Sequence, residues 1–360
     1  MFERFFRRSP SEFQLRIQPC GQTLTAPTKD SLLLTALHNG IAFPHNCRVG
    51  GCGECKCRLV SGKVKELTDK SYLLSAEELQ HNYILACQSQ PRSDVVIEVA
   101  LREADAAVPQ TETTGRITHT QPLTHDILHV SVEASQPLPH RAGQYVDIAL
   151  PSEAGGDGQA VRSYSFARAP ANPKPTSLDF YIRRVPGGAF TEWLFSQDRV
   201  GETLNLIGPH GTFALRPDVG PIVCIAGGSG LAPIQAVLEQ AIRDKQAARP
   251  LLLIMGARAQ ADLYALDAID QIRRSWGGRF HFEPILSNEP EGSDWRGLRG
   301  LVNTHLPVLL GERAAEHSAY LCGPPAMIDA CVGVLQNEGV PASRIHFDKF
   351  LDRGNTPALR

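Results

Sequence analysis

Three cysteines spaced Cys47-x4-Cys52-x2-Cys55, with Gly50, Gly51 and Gly53 between them, constrain this chain more than any other stretch of it. One short loop must hold three thiols close together, and Cys57 follows two residues later. A disulfide framework, a zinc site and an iron–sulfur cluster all suit such a density of sulfur. Composition narrows the choice. The start MFERFFRRSP lacks the apolar core of a signal peptide, and no apolar run approaches the roughly 18 residues of a membrane span. A cytoplasmic protein is expected. Nine cysteines clustered in this way then favour metal over disulfides. Lys and Arg total 36 against 38 Asp and Glu, so no basic field points to nucleic acid. Small molecules and proteins are the expected partners.

At 360 residues the chain has room for two to four domains, at roughly 100–200 residues each. Alternation in FQLRIQP, a helical pattern in SLLLTALHNG with a stop at Asn39-Gly40, and a closing strand DVVIEVAL outline a small α+β unit over residues 11–102, behind an arm at 1–10. Residues 103–112 are polar, Ala/Pro-bearing and without periodicity, and read as a linker. Over 113–216, strand-like runs such as DILHVSVEA, QYVDIAL and LDFYIRR alternate with Gly/Pro turns, as in an antiparallel barrel or sandwich. From 217 to 360, PIVCIA, LLLIMGA, FHFEPIL and AYLC are buried-type strands separated by helical stretches, the rhythm of an α/β parallel sheet.

Cys87, in YILACQSQP, returns from another element and completes the spacing of plant-type [2Fe–2S] ligation with Cys47, Cys52 and Cys55. The loop glycines let backbone N–H groups approach the negatively charged sulfurs. Zinc is the alternative, but zinc modules usually use two short Cys/His pairs. Cys57 and Cys20 read as buried free thiols. On these residues, 11–102 resembles a plant-type ferredoxin domain of β-grasp form, and GIAFPHNCRVGGCGECKCRLVSG is similar to the fused ferredoxin of bacterial oxygenase reductases. Residues 41–90 hold six Lys/Arg and five Asp/Glu, so docking through a broad acidic patch is not expected.

A two-electron donor cannot reduce a one-electron cluster directly, and flavin is the usual go-between. RSYSFA offers Arg162 for a pyrophosphate, the Tyr164 ring for stacking and the Ser165 hydroxyl for a redox nitrogen. RRVPGGAFTEWL places Gly187, Gly188 and Thr191 at a helix start, where free N–H groups favour phosphate. With HRAGQYVDI and GPHGTF in this order, residues 113–216 resemble the FAD-binding barrel of the ferredoxin–NADP reductase superfamily. That resemblance implies flavin contacts at Arg162, Tyr164, Ser165, Gly188 and Thr191. The plainer reading is a β-domain in which Tyr164 is core and Arg162 a surface charge.

PIVCIAGGSGLAPIQAVLEQAI reads strand, glycine turn, helix, with Leu231, Ile234, Leu238 and Ala241 on one face. Gly227, Gly228, Gly230 and Pro233 open the helix N-terminus to a pyrophosphate. Glycine turns also occur for packing alone, but AYLCGPPAMIDA matches the superfamily signature beside the nicotinamide, which implies roles for Cys322, Gly323 and Pro324. Cys224 and Cys331 read as buried strand and helix thiols. Ser287, Asn288 and Glu289 follow the strand that borders the adenosine ribose in the superfamily, and Glu289 would repel a 2′-phosphate, so NADH is expected over NADPH. Arg258 is the counter-signal, with Asp262 placed to occupy it. HFDKF offers Phe350 as an aromatic cover on the second flavin face.

In order and content the chain resembles the reductase components of multicomponent aromatic-ring oxygenases. The resemblance implies electron transfer from NADH through FAD and the [2Fe–2S] cluster, with Ser165 and Cys322 at the hydride step, to a terminal oxygenase. That partner is either a membrane di-iron hydroxylase or a soluble Rieske oxygenase. The reductase of a deoxysugar dehydrase and a noncatalytic electron-transfer subunit are the alternatives. Phe2, Phe5 and Phe6 among Arg4, Arg7 and Arg8 are read two ways, as a frayed terminus or as a weak peripheral contact of residues 1–8 with an anionic inner membrane. A monomer is expected.

Overall fold

The computed structural model describes residues 11–45, 48, 50–51, 53–71, 73–101, 110–150 and 161–350. Those up to residue 101 form one compact unit and those from 110 to 350 a second.

In the first unit, β1 (Glu12–Gln18) and β2 (Gln22–Pro27) form a hairpin, and α1 (Leu32–His38) follows. Ser31 caps that helix by accepting the Leu34 N–H at 3.1 Å, and Gly40 at φ +73° lets the chain leave it. A helix of seven residues has little stability of its own. Burial of Leu32, Leu33 and Ala36 against Leu15, Ile17 and Ile97 holds it in place. Then come β3 (Lys56–Ser61), β4 (Val64–Glu66), α2 (Ala76–Gln80), β5 (Tyr83–Leu85), β6 (Ser89–Pro91) and β7 (Val95–Glu98). The main sheet has the order β2-β1-β7-β3-β5, and β4 pairs with β6 beside it. The parallel β1/β7 pair amid antiparallel neighbours gives the β-grasp arrangement.

The second unit begins with β8 (Thr111–Pro122), so its first two residues come from the stretch read as linker. β9 (Ile127–Ala134), β10 (Tyr145–Ala149), β11 (Arg162–Ser165), β12 (Ser177–Arg183), α3 (Ala189–Ser196) and β13 (Thr203–His210) follow. Their antiparallel sheet runs β11-β10-β13-β8-β9-β12. A bridge between Phe166 and Phe180 joins its two ends, which makes a barrel rather than a sandwich. Val130, Val132, Val146, Ile148 and Phe180 fill the interior.

The remainder is β14 (Ile222–Gly227), α4 (Leu231–Arg243), β15 (Leu251–Ala257), α5 (Leu266–Ser275), β16 (Phe280–Leu286), β17 (Leu298–Arg299), α6 (Val302–Leu310), β18 (Ser318–Gly323), α7 (Pro325–Asn337) and β19 (Ile345–Lys349). All six strands are parallel, in the order β17-β16-β15-β14-β18-β19. The order reverses beside β14, and the crevice at such a switch point is where open α/β sheets bind ligands. One apolar cluster unites barrel residues Ile127, Ala142, Ala167 and Tyr181 with Leu231, Ile234 and Leu238 of α4, so barrel and parallel sheet share a core.

Candidate functional site

Cys47 and Cys52 lie outside the described residues; Cys55 and Cys87 are 2% and 5% exposed. They are brought together by backbone, since the Ala86 N–H donates to the Cys55 carbonyl at 3.0 Å. Cys55, immediately before β3, therefore lies beside the 3-10 turn that carries Cys87. Gly50 and Gly53 adopt φ +82° and +73°, which side chains disfavour, and a Cβ on Gly50 would meet Gln88 Cγ at 2.8 Å. The described part of the loop is tight at Gly50, and Cys55 and Cys87 are placed together as thiolate donors to an iron–sulfur cluster would be. Cys57 points into the core at 1% exposure, where burial, then the neighbouring Cys55, pushes its thiol up. Cys20 corrects the expectation of burial: it sits exposed in the β1–β2 turn, its thiol 3.4 Å from the Ile17 carbonyl.

On the barrel, β11 lies at the sheet end, with Arg162, Tyr164 and Ser165 opposite Ile148, Val146 and Tyr145. Arg162 donates to the Val161 carbonyl at 2.7 Å, and among the described residues no carboxylate pairs with it. Tyr164 rests against Phe190 at 5.3 Å between centroids, and burial pushes its phenol up. Ser165 is buried. A half-buried cation that pairs with no carboxylate among the described residues fits a bound group carrying phosphate. At the start of α3, the Thr191 hydroxyl accepts the Val185 N–H at 3.1 Å and lies 3.2 Å from the Gly188 carbonyl. It is therefore engaged in shaping the turn. A Cβ on Gly188 would meet that hydroxyl at 2.8 Å.

The glycine turn at Gly227–Gly230 and the turn at Cys322–Pro324, almost a hundred residues apart, abut one another. A Cβ on Gly230 would fall 2.1 Å from the Cys322 carbonyl oxygen, and one on Gly323 2.7 Å from the Gly227 carbonyl. A Cβ on Gly227 would meet Met327 at 2.7 Å and Pro324 at 3.0 Å. Such a cradle, flush with the N-terminus of α4, has no room for side chains and suits a pyrophosphate. Pro233 sits in the first turn of α4, where its missing N–H is harmless. Phe350 is tied to the same place by its N–H, which donates to the Gly323 carbonyl at 2.9 Å.

Cys322 is fully buried beside Asp348, its partner in the β18/β19 register. Burial, then Asp348 and Cys224, pushes its thiol well up, so it remains protonated. Cys224 and Cys331 are buried too, each pushed up to about 12 by desolvation. Ser287 is exposed at the end of β16, its N–H bonded to the Ala257 carbonyl at 2.9 Å. Glu289 accepts from the Gln260 N–H at 2.7 Å and from its side chain at 3.1 Å, bonds that hold its carboxyl below the usual range.

Sequence reasoning missed two neighbours. Arg183 lies against the glycine turn, its Cδ 3.7 Å from where a Gly228 Cβ would be. Asp348 is 5% exposed behind Cys322. Arg183 was visible as the first of two arginines ending a strand, but only the packing of barrel on sheet brings it to Gly228. Asp348 carried no signal beyond a charge in an apolar strand.

Comparison with known proteins agrees with this geometry. Residues 15–92 match the 2Fe-2S iron-sulfur cluster binding domain, 115–215 the oxidoreductase FAD-binding domain and 224–333 the oxidoreductase NAD-binding domain. Over 345 residues the chain is 42% identical to the xylene/toluene monooxygenase electron transfer component of Pseudomonas putida, covering 96% of this chain and 95% of that one. It is 30% identical to the phenol 2-monooxygenase reductase component of a Pseudomonas species, over 94% of each. Among solved structures, the Amycolatopsis cytochrome P450 reductase superposes with a TM-score of 0.77 at 32% identity, over 94% of this chain and 98% of that one. The ferredoxin reductase of carbazole 1,9a-dioxygenase superposes at 0.70 with 34% identity, over the same shares. Similarity of this extent, running through all three domains in one order, places the chain in the family of FAD- and NAD-binding [2Fe–2S] reductases that serve multicomponent oxygenases.

Proposed function

We propose that this reductase draws electrons from NADH and supplies the terminal oxygenase of a system that oxidises aromatic hydrocarbons. The observation that carries the reading is the 42% identity to the xylene/toluene component, spread over the whole length of both chains. When bound, FAD converts a hydride pair into single electrons and the [2Fe–2S] cluster relays them.

Each residue then has a task set by its surroundings. Cys47, Cys52, Cys55 and Cys87 would hold the cluster, and the left-handed Gly50 and Gly53 would let backbone N–H groups approach its sulfurs. Arg162 neutralises the flavin pyrophosphate. Tyr164, braced by Phe190, would stack on the flavin, and the Ser165 hydroxyl would serve its redox nitrogen. Thr191 and Gly188 shape the α3 start so that its N–H groups face phosphate. Gly227, Gly228, Gly230 and Pro233 would seat the nicotinamide dinucleotide, with Arg183, held by Asp126, packed against the glycine turn. Gly323 and Pro324 turn the chain tightly so that Cys322, kept as a neutral thiol, lines the nicotinamide pocket without adding charge. Phe350, tied by its N–H to the Gly323 carbonyl, would cover one face of the flavin ring. Ser287 and Glu289 receive the adenosine ribose.

The test is substitution of Cys52 by Ser. The cluster's absorbance and paramagnetic signal should vanish while NADH still bleaches the flavin. Stoichiometric zinc without acid-labile sulfide in the unaltered protein would overturn the cluster assignment. Reconstitution with the co-encoded oxygenase and an aromatic hydrocarbon identifies the acceptor. Residues 1–8, proposed as a weak membrane contact, lie outside the described residues. No helix among the described residues is long and apolar enough to cross a membrane.

A further inference from the structure

A charged knot closes the gap between the barrel and the loop after β15. Asp126 Oδ2 accepts from Arg183 Nε at 2.9 Å and from Arg258 at 3.0 Å. His125 stands 3.0 Å from the same Arg258 nitrogen through Nε2, and 3.1 Å from Asp262 through Nδ1. Asp262 adds a second carboxylate 3.7 Å from Arg258 Nε. The backbone of Arg258 is itself part of the proposed ribose subsite, because its carbonyl accepts the Asn288 N–H at 2.8 Å and the next turn carries Gln260, the partner of Glu289. Arg299 is also nearby, but its guanidinium is held by the carbonyls of Glu289, Pro290 and Trp295 and by the Ser293 hydroxyl.

We propose that Asp126 is a specificity-determining residue: with Asp262 it neutralises Arg258, so the guanidinium beside the adenosine ribose is withheld from a 2′-phosphate. Arg258 is by position what an NADPH site uses, since a guanidinium matches phosphate geometry. Two carboxylates already hold it, one reaching across from the barrel. A 2′-phosphate must break those contacts and then face Glu289. NADH, which offers only a hydroxyl there, asks for neither change. The rejection of NADPH thus resides partly in the flavin-binding barrel, outside the nucleotide-binding sheet. The inference rests on the proposed assignment of the ribose to Ser287 and Glu289.

The experiment uses the full holoprotein and compares adenosine 2′-phosphate with adenosine 5′-phosphate by calorimetry, alongside the ratio of kcat/KM for NADPH and NADH. In Asp126→Asn/Asp262→Asn, affinity for the 2′-phosphate should rise about tenfold relative to the 5′-phosphate, the size of one charge-assisted hydrogen bond. The NADPH to NADH ratio should rise in step. Adding Arg258→Ala should erase both gains. A gain that survives without Arg258, or no gain in a variant that keeps its flavin, cluster and melting temperature, overturns the proposal. Asp262→Asn and Arg258→Ala, each alone, decide the matter if Asp126→Asn does not fold. The first should give part of the gain, and the second should leave 2′-phosphate binding unchanged because Arg258 is already engaged. Loss of 2′-phosphate affinity in Arg258→Ala, or no gain in Asp262→Asn, is the opposing result. Equal use of NADPH by the unaltered enzyme would instead refute the coenzyme reading beneath the proposal.

Discussion

Replacing Gly230 by Ala isolates a packing requirement from a conformational one. The residue sits at φ −62° and ψ −11°, ordinary helical backbone that alanine adopts freely. What forbids a methyl group is the strand next door: the new Cβ would lie 2.1 Å from the Cys322 carbonyl oxygen, 2.4 Å from its carbon and 2.8 Å from the Gly323 nitrogen. These are backbone atoms in a hydrogen-bonded parallel ladder, so no flexible side-chain end can yield. Relief requires the glycine turn and the Cys322 turn to separate by about 1 Å or more, which costs about 1–3 kcal/mol for an overpacked interior. At roughly 2–4 °C per kcal/mol for a unit of this size, the melting temperature should fall by about 2–12 °C. A displacement near 1 Å in substrate-positioning groups lowers rates by about a hundredfold. Steady-state ferricyanide reduction should therefore show kcat/KM for NADH falling by one to two orders of magnitude while bound flavin and cluster stay stoichiometric. Gly333→Ala, in α7 with nothing within 4 Å of its would-be Cβ, is the control. It should be neutral or stabilising by about 0.5–1 kcal/mol. If Gly230→Ala melts and turns over like the unaltered protein, the abutment of the two turns is not what seats the dinucleotide.

Glu289→Arg should improve kcat/KM for NADPH, whereas the unaltered enzyme should favour NADH; equal use of both coenzymes by the unaltered enzyme contradicts the ribose assignment. Asp179 loses by burial but gains more from His129 at 2.8 Å and Ser131 at 2.7 Å, so its carboxyl is held below its usual range. A depressed folded-state pKa contributes stability above the unfolded value of about 3.9 and loses it as pH falls through the folded value. Asp179→Asn should thus cost about 1–3 kcal/mol at neutral pH, and the melting difference should shrink as pH approaches 3. Co-sedimentation with anionic liposomes should be stronger for the full chain than for one starting at Ser9, and should weaken with salt; equal sedimentation removes the membrane contact. Size-exclusion with light scattering should report a monomer.

Much of this molecule was legible before any folding was considered, because its signals are local. Cys47-x4-Cys52-x2-Cys55 encodes its own loop geometry, and helix α4 shows its buried face, Leu231, Ile234, Leu238 and Ala241, at helical spacing. The alternation of strands and helices from Pro221 onward forces a parallel sheet, since only crossovers can connect parallel neighbours. Tertiary structure decided whatever depends on residues distant in sequence. Barrel closure through Phe166 and Phe180 distinguishes it from a sandwich of identical strand pattern. The exposure of Cys20 depends on a hairpin turn whose thiol looks like any other in sequence. Thr191 has a hydroxyl suited to a ligand, and only the fold shows that hydroxyl engaged with Val185. Asp262 is legible in the sequence as a neighbour of Arg258; Asp126, 132 residues away on another domain, reaches it only once barrel and sheet share a core. Periodicity and spacing report what a residue does within one or two turns of chain. Charge pairing and steric abutment are set by the closest atoms in space, and those are chosen by the packing of whole elements.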